Sequence, residues 1–379
     1  MPLFVTVVGA GAIGGWTALH LIRSGARVTL LDAWGPGNSR STSGDETRVI
    51  RGSYGPNAIY TEMVARSLPM WKENQSRWGV KLLRQVGSIW MAGAQDAYEQ
   101  ASVRNIRAAG MPVEELSAKD GRSRFPQMNW SGIDWAVYEP QGGFLMARRG
   151  CQAVQEAFIA EGGAYRQAAA HWTGSHLELH DQSRLEADAF VFACGPWLPK
   201  LLPEVLGHVL TPTRQELIYL GTPSGDASFH EDSFPAWVDN SGVRFYGIPG
   251  NEWRGFKVAK DVPGPATDPT SQDRLVSREA AAELRDYAAM RFPALASAPV
   301  AETRVCQYEM SADGHLIVDR LPGSANVWIA GGGSGHSYKF APALGEHVAQ
   351  LVLGNAAARP EFRLHRFASL EPNAIGERK

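Results

Sequence analysis

The stretch FVTVVGAGAIGGWTALHLIRSGARVTLLD, residues 4–32, constrains the fold more than any other part of this chain. Residues 4–8 are apolar and rich in β-branched side chains, as a buried strand requires. Residues 12–24 carry apolar side chains at helical spacing and stop at Gly25, a residue suited to a left-handed helix cap. A second apolar strand, 28–31, runs out into Asp32. Between strand and helix, Gly9, Gly11 and Gly14 form G-x-G-x-x-G. The first glycine permits a tight turn, the second lets a pyrophosphate approach the backbone, and the third lets helix and strand pack closely. The helix N-terminus offers N–H groups to phosphate. Asp32 is placed to accept from a ribose hydroxyl. With strand, turn, helix, strand and acid in order, this is a dinucleotide site, and Gly9, Gly11, Ile13, Gly14 and Asp32 are its cofactor-binding candidates. The motif by itself does not choose between NAD and FAD.

At 379 residues the chain exceeds one ordinary core, which implies two domains. A net charge of −2 leaves no basic stripe for nucleic acid. Three cysteines, at 151, 194 and 306, are too few and too scattered for a disulfide framework or a zinc cluster, so no metal is expected. They fit a reducing compartment. The apolar segment from Phe4 to Ile22 lacks a basic leader and carries four glycines, which argues against a signal peptide or a membrane span. A cytoplasmic monomer without a membrane partner is the expectation.

After Asp32, residues 33–55 form a Gly/Ser/Pro-rich loop leading into an arginine-bearing segment, and a loop of that length inside a compact domain is usually functional. Helices are expected at 60–78, 95–109, 148–163 and 274–290. Strands are expected at 82–93, near 165–180, and at 185–202, which closes on Cys-Gly-Pro. Residues 215–258 alternate apolar and polar, as antiparallel strands do. Residues 261–273 read as an exposed Pro-rich loop, and 326–354 again reads strand, glycine turn, helix. Two terminal segments rejoining around one dinucleotide favour FAD. The expected fold class is mixed α/β, a Rossmann-type FAD-binding domain with an antiparallel-sheet substrate domain inserted. The FAD-binding part is assigned to 1–80, 145–215 and 305–379, and the substrate-binding part to 81–144 and 216–304.

Five motifs carry a resemblance through nearly the whole chain: GAGAIGG (9–15), ETRVIRGSYG (46–55), FYGIPG with GFKVA (245–259), VCQYEMSADGHLIVD (305–319) and GGGSGHSYKF (331–340). Together they resemble the monomeric sarcosine oxidase and N-methyltryptophan oxidase family of the D-amino-acid oxidase-like flavoproteins. The resemblance implies FAD attached covalently through Cys306, while Cys151 and Cys194 lie in helix and strand patterns and read as core. It implies that Arg51 and Lys339 hold a substrate carboxylate, a role that suits the planar donor fork of arginine. It places Lys257 beside the flavin on the face opposite the substrate, where a fixed cation stabilises superoxide as oxygen is reduced. Ser43, Thr47 and Arg48 fall in the flavin loop, with Arg48 against the ring. Tyr246, Tyr308 and Gly335 line the substrate side. Gly333, Gly335, His336 and Lys339 border the cofactor, His336 as a structural or flavin-contacting residue rather than a base. The turn at 331–335 and the helix after it would offer free N–H groups to the negative charge of reduced flavin.

The pattern departs from the family in two places. A histidine often stands two to three residues before the loop's Thr-Arg, where this chain has Gly44, Asp45 and Glu46. Another, a few residues after the lysine, corresponds to Lys260 or Asp261. A carboxylate in place of a ring favours a substrate with an extra donor or positive charge. The implied reaction is oxidation of a secondary, N-methyl or N-alkyl, amino acid to an imine, with hydride passing to flavin and O2 becoming H2O2. If the amine binds neutral, no general base is needed and activity rises with pH. A primary, cyclic or fructosyl amino acid as substrate, an acceptor other than O2, and a non-catalytic flavin-binding subunit are the alternatives.

Overall fold

The structure, a computed structural model, describes residues 1–368; the tail of the expected segment 305–379, from residue 369 onward, lies outside them. Strand β1 (Phe4–Val8) is central in a six-stranded sheet, with helix α1 (Ala12–Arg23) following it and β2 (Arg27–Asp32) at its side. The sheet order is Ile317–Arg320, Val327–Gly331, Ala189–Phe192, β1, β2, Ala164–Gln167. All neighbours are parallel except the outermost pair, Ile317–Arg320 against Val327–Gly331. Near-continuous apolar strands such as FVTVV fit a sheet buried on both faces. Strands from the two ends of the sequence therefore join one sheet around the glycine turn.

The second large sheet has eight strands, in the order Val300–Ser311, Leu210–Leu220, Phe256–Lys260, Phe245–Ile248, Ala236–Asp239, Ser88–Ala92, Trp135–Glu139, Glu114–Ser117. Only Ala236–Asp239 against Ser88–Ala92 is parallel. The boundaries expected at 215 and 305 fall inside two strands of this sheet, which pair with each other over their length. The helix expected at 274–290 begins at Arg278, because Ser277 accepts the Ala280 N–H and caps it.

Side chains alternate across a strand, and directly paired residues share a face. The register Thr213↔Tyr308, Gln215↔Cys306, Tyr219↔Lys257, Tyr246↔Ala259, Tyr246↔Val238 and Val238↔Trp90 puts Cys306, Tyr308, Lys257, Tyr246 and Trp90 on one face. The opposite face buries Ile89, Met91, Trp237, Phe245, Phe256 and Val258 against Leu284, Tyr287 and Ala288 of the helix Arg278–Arg291. One face of the sheet is thus spent on a core, which leaves the other to meet the nucleotide half of the molecule. Trp90 and Val238 join Val5, Val7 and Trp16 in one continuous core.

Candidate active site

The glycine turn is built as its spacing implies. Gly9 has φ of +106°, and a Cβ there would sit 2.3 Å from the carbonyl oxygen of Ala193. A Cβ on Gly14 would come 1.9 Å from the Gly9 carbonyl oxygen, so only glycine lets α1 lie this close to β1. Gly11 has open space beyond Ser43 Oγ, at 3.5 Å from its notional Cβ. A cleft of about 250 Å³ opens over this turn, lined among others by Gly9, Gly11, Ile13, Asp32, Ser43, Arg48, Tyr308, Gly333 and Gly335. Asp32 accepts the Ala10 N–H at 2.8 Å on one oxygen and those of Trp34 and Gly35 on the other. Burial nevertheless raises its carboxyl above the ordinary value. Trp34 and Trp197, with ring centroids 4.8 Å apart, and the run Ala168–Ala170 complete the same cleft.

Three of the expected residues meet in a charged cluster, and a fourth that sequence reasoning undervalued holds them together. Lys257 is 1% exposed, and its Nζ donates to Asp45 Oδ2 and to the Thr47 carbonyl. Arg48 Nη1 donates to the same Asp45 oxygen at 2.9 Å and to the Thr47 carbonyl, while Nη2 reaches Cys306 Sγ at 3.4 Å. Tyr219 donates its hydroxyl to Asp45 Oδ1 at 3.1 Å. Burial works against the charge on Asp45, but Lys257 and Arg48 outweigh it and hold the carboxyl well below the usual range. Burial lowers the Lys257 ammonium, with Asp45 opposing that shift. The burial of the Arg48 guanidinium is likewise offset by Asp45. Asp45 is the counterion of both cations. Its only trace in the sequence is an acidic residue in a loop otherwise committed to a flavin.

Cys306 is buried and lines a second cleft of about 190 Å³ beside Asp45, Arg274 and Arg304. Arg48, which lines the first cleft, links the two. Cys151 and Cys194 are buried or half-buried, and burial pushes the Cys151 thiol up to about 11.

Arg51 and Lys339, far apart in sequence, converge on Tyr54. The Arg51 guanidinium lies 4.8 Å from the Tyr54 ring centroid and 4.3 Å from that of Trp90. Lys339 Nζ donates to Tyr54 Oη and to the His336 carbonyl, both at 2.8 Å. Contacts then close a ring. Arg244 stands over Trp90 and Tyr98 and pairs with Asp261 at 3.7 Å. Tyr308 donates to Asp261 at 3.2 Å, and a Cβ on Gly335 would meet the Tyr308 ring at 2.7 Å. Tyr246 joins through a hydrogen bond to Tyr308, and burial raises its phenol. His336 leads back to Lys339, with its Nε2 3.1 Å from the Gly314 carbonyl oxygen and its ring packed on Tyr60 and Phe340. Glu139, which no motif suggested, accepts the N–H groups of Gly52 and Ser53 and so fixes the chain beyond Arg51.

Two expectations change. The negative charge of Asp261 is met by Arg244 inside the chain, so it does not by itself call for a cationic substrate. Lys260 points elsewhere and pairs with Glu283 at 2.6 Å. In the turn at 331–335, the Gly333 and Ser334 amides are not free, because they face the Glu309 carboxyl and carbonyl oxygens at 3.5 and 2.9 Å. The next helix starts only at Ala341, after a short 3-10 turn.

A glycine-turn cleft joined to a face of buried cations and tyrosines defines a dinucleotide-dependent oxidoreductase. Residues 5–351 match the FAD dependent oxidoreductase family, and the chain belongs to it. It is 30% identical to the monomeric sarcosine oxidase of Streptomyces avermitilis, over 94% of this chain and 95% of that one. It is 26% identical to an N-methyl-L-tryptophan oxidase of Yersinia pestis, over 92% and 94%. The L-proline dehydrogenase of P. horikoshii superposes with a TM-score of 0.83 at 18% identity, covering 97% of this chain and 98% of that chain. The iminodiacetate oxidase of Chelativorans sp. superposes at 0.77 with 22% identity, over 98% and 100%. These two show a shared fold. FAD is the cofactor of the family, and the cradle fits it: a turn that only glycine can make, and a cleft that reaches from Asp32 to Tyr308. No described helix is long and apolar enough to cross a membrane.

Proposed function

We propose that this protein oxidises a secondary amino acid at a carbon next to nitrogen, giving an imine that water hydrolyses. The observation that carries the reading is the convergence of buried Arg51 and Lys339 on Tyr54, inside a ring closed by Tyr308 and Tyr246. Two cations on one tyrosine suit a carboxylate, with arginine supplying paired donors and lysine a point charge. Gripping that end orients the amine and its C–H toward the cleft, which is the main service a protein renders in such a reaction. Bound FAD supplies the acceptor for the hydride. The amine binds unprotonated, so no residue acts as base. The far side of the ring, Arg244 with Asp261, offers a donor and an acceptor and suits a substrate with a polar distal group.

In this reading Lys257 serves oxygen. Asp45 opposes the loss of its proton on burial, which keeps a positive charge where superoxide would form on the way to H2O2. Cys306, beside Arg48, is the covalent anchor of the flavin. The test is a panel of N-methyl and N-alkyl amino acids mixed anaerobically with the purified yellow protein. Bleaching of the flavin by a member of the panel, followed by recovery of colour and peroxide on admitting air, is expected. Bleaching only by primary amines, or no recovery in air, would overturn the substrate class or the acceptor respectively.

A further inference from the structure

Glu309 lies in the strand Val300–Ser311, immediately after Tyr308, and period-two alternation turns it to the face away from Cys306 and Tyr308. It is 4% exposed and lines the dinucleotide cleft together with Gly9, Gly11 and Gly333. Its Oε2 faces the Gly333 N–H at 3.5 Å, and its Oε1, enclosed near Gly331 and Leu198, has no hydrogen-bond partner among the described residues. A carboxyl buried with one oxygen unpartnered is costly as an anion, which favours its protonated form.

The surroundings decide its charge. Burial pushes the carboxyl up to about 7, opposed by the amides of Gly332 and Gly333, and among the described residues no arginine, lysine or histidine contributes. Cys194, two residues beyond the strand Ala189–Phe192, is the titratable group that faces it among the described residues, and burial keeps that thiol neutral. An ionised Glu309 would put a second negative charge, uncompensated, on the wall of a cleft whose glycine turn is made to receive a diphosphate. A carboxylic acid has no such conflict and brings a donor.

We propose that Glu309 is a neutral carboxylic acid that donates its proton in a hydrogen bond to the bound dinucleotide, so that the non-covalent hold on FAD is tight only while Glu309 is protonated. This makes Glu309 a cofactor-binding residue and the non-covalent affinity for FAD pH-dependent, whichever amine is oxidised. A carboxyl that titrates at about 7 in the FAD-free protein and must be protonated to bind raises the dissociation constant about tenfold between pH 6 and pH 8.

The test uses FAD-loaded Cys306→Ser protein, in which no thioether can hide release. A dilution series is brought to equilibrium at each pH from 6 to 8.5, and free FAD is read from its fluorescence. The tenfold rise is expected with Glu309 in place. Glu309→Gln keeps a donor without charge and should remove the pH dependence while binding as tightly at pH 8 as the parent does at pH 6. Glu309→Ala should bind weakly at every pH. A flat parent profile, a Gln variant with the parent's slope, or a Gln variant weaker than the parent at pH 8 each overturns the proposal. If a variant does not fold, the parent's profile still decides, because flatness alone refutes it.

Discussion

Asp45→Asn is the most informative perturbation, because one atom exchange strips two buried cations of their counterion while keeping the shape. Arg48 Nη1 lies 2.9 Å from Asp45 Oδ2, and Lys257 Nζ shares that oxygen. At an effective dielectric near 20, one such contact is an attraction of about 6 kcal/mol, most of which offsets the desolvation of both ions. Removing one partner leaves that desolvation uncompensated and costs roughly 3–5 kcal/mol. For a chain of this length the melting temperature should fall by about 4–6 °C at neutral pH. The deficit has a pH signature with a definite sign. Burial already lowers the Lys257 ammonium, and it will fall further without Asp45. The unfolded chain then binds more protons than the folded one at alkaline pH, so the variant gains stability there as pH rises. At the acid end the carboxyl of Asp45 is depressed in the folded parent, whose advantage is therefore lost as pH drops below the ordinary carboxylate range. The gap between parent and variant should be widest near neutrality and narrow on both sides. Thermal unfolding of the FAD-loaded proteins, followed by tryptophan fluorescence at pH 3, 7 and 9.5, measures it. A melting temperature within 1 °C of the parent at pH 7, or a gap of equal size at all three pH values, refutes the counterion role.

Lys257→Met leaves Asp45 paired with Arg48 and should fold. Flavin reduction by the amine should be nearly unchanged in stopped-flow mixing, and reoxidation by air should slow on the order of 100-fold; equal slowing of both half-reactions would defeat the oxygen role. Cys306→Ser should release its flavin into the supernatant on acid precipitation, whereas the parent pellet stays yellow, and free FAD recovered from the parent would rule out the covalent link. Arg51→Lys loses the paired donors and the stacking on Trp90 and Tyr54. It should raise KM about 10- to 100-fold with little change in kcat, and an unaltered KM would remove Arg51 from the carboxylate site. Gly14→Val should yield little soluble FAD-loaded protein, since even a Cβ would overlap the Gly9 carbonyl oxygen; normal flavin content would contradict the close packing of α1 on β1.

The nucleotide turn was readable because its parts lie within thirty residues and each obeys a local rule. The antiparallel block was readable from alternation, but its edges were not: the strands Leu210–Leu220 and Val300–Ser311 cross the expected boundaries because each pairs along its whole length with the other. The resemblance supplied Arg51, Lys339, Lys257 and Cys306 as names without geometry. It registered Asp45 only as a missing histidine and Asp261 only as a lone acid. Both gain their meaning from partners, Lys257 with Arg48 for the first and Arg244 for the second, which no spacing rule connects. Tyr54, Trp90 and Glu139 sent no signal, since an aromatic residue or a buried carboxylate looks the same in sequence wherever it packs.

What the sequence determined by itself was the local conformation of a glycine turn and the alternation of the strands, because steric limits on φ and the burial of apolar side chains act over a few neighbouring residues. Only the tertiary structure decided which charges are neutralised. The strand register sets Lys257 and Cys306 on the same sheet face, and folding brings Asp45 and the strand Thr47–Ile50 that carries Arg48 over it. Electrostatic energy depends on distance through space and on exclusion of water, and neither is written in the order of the residues.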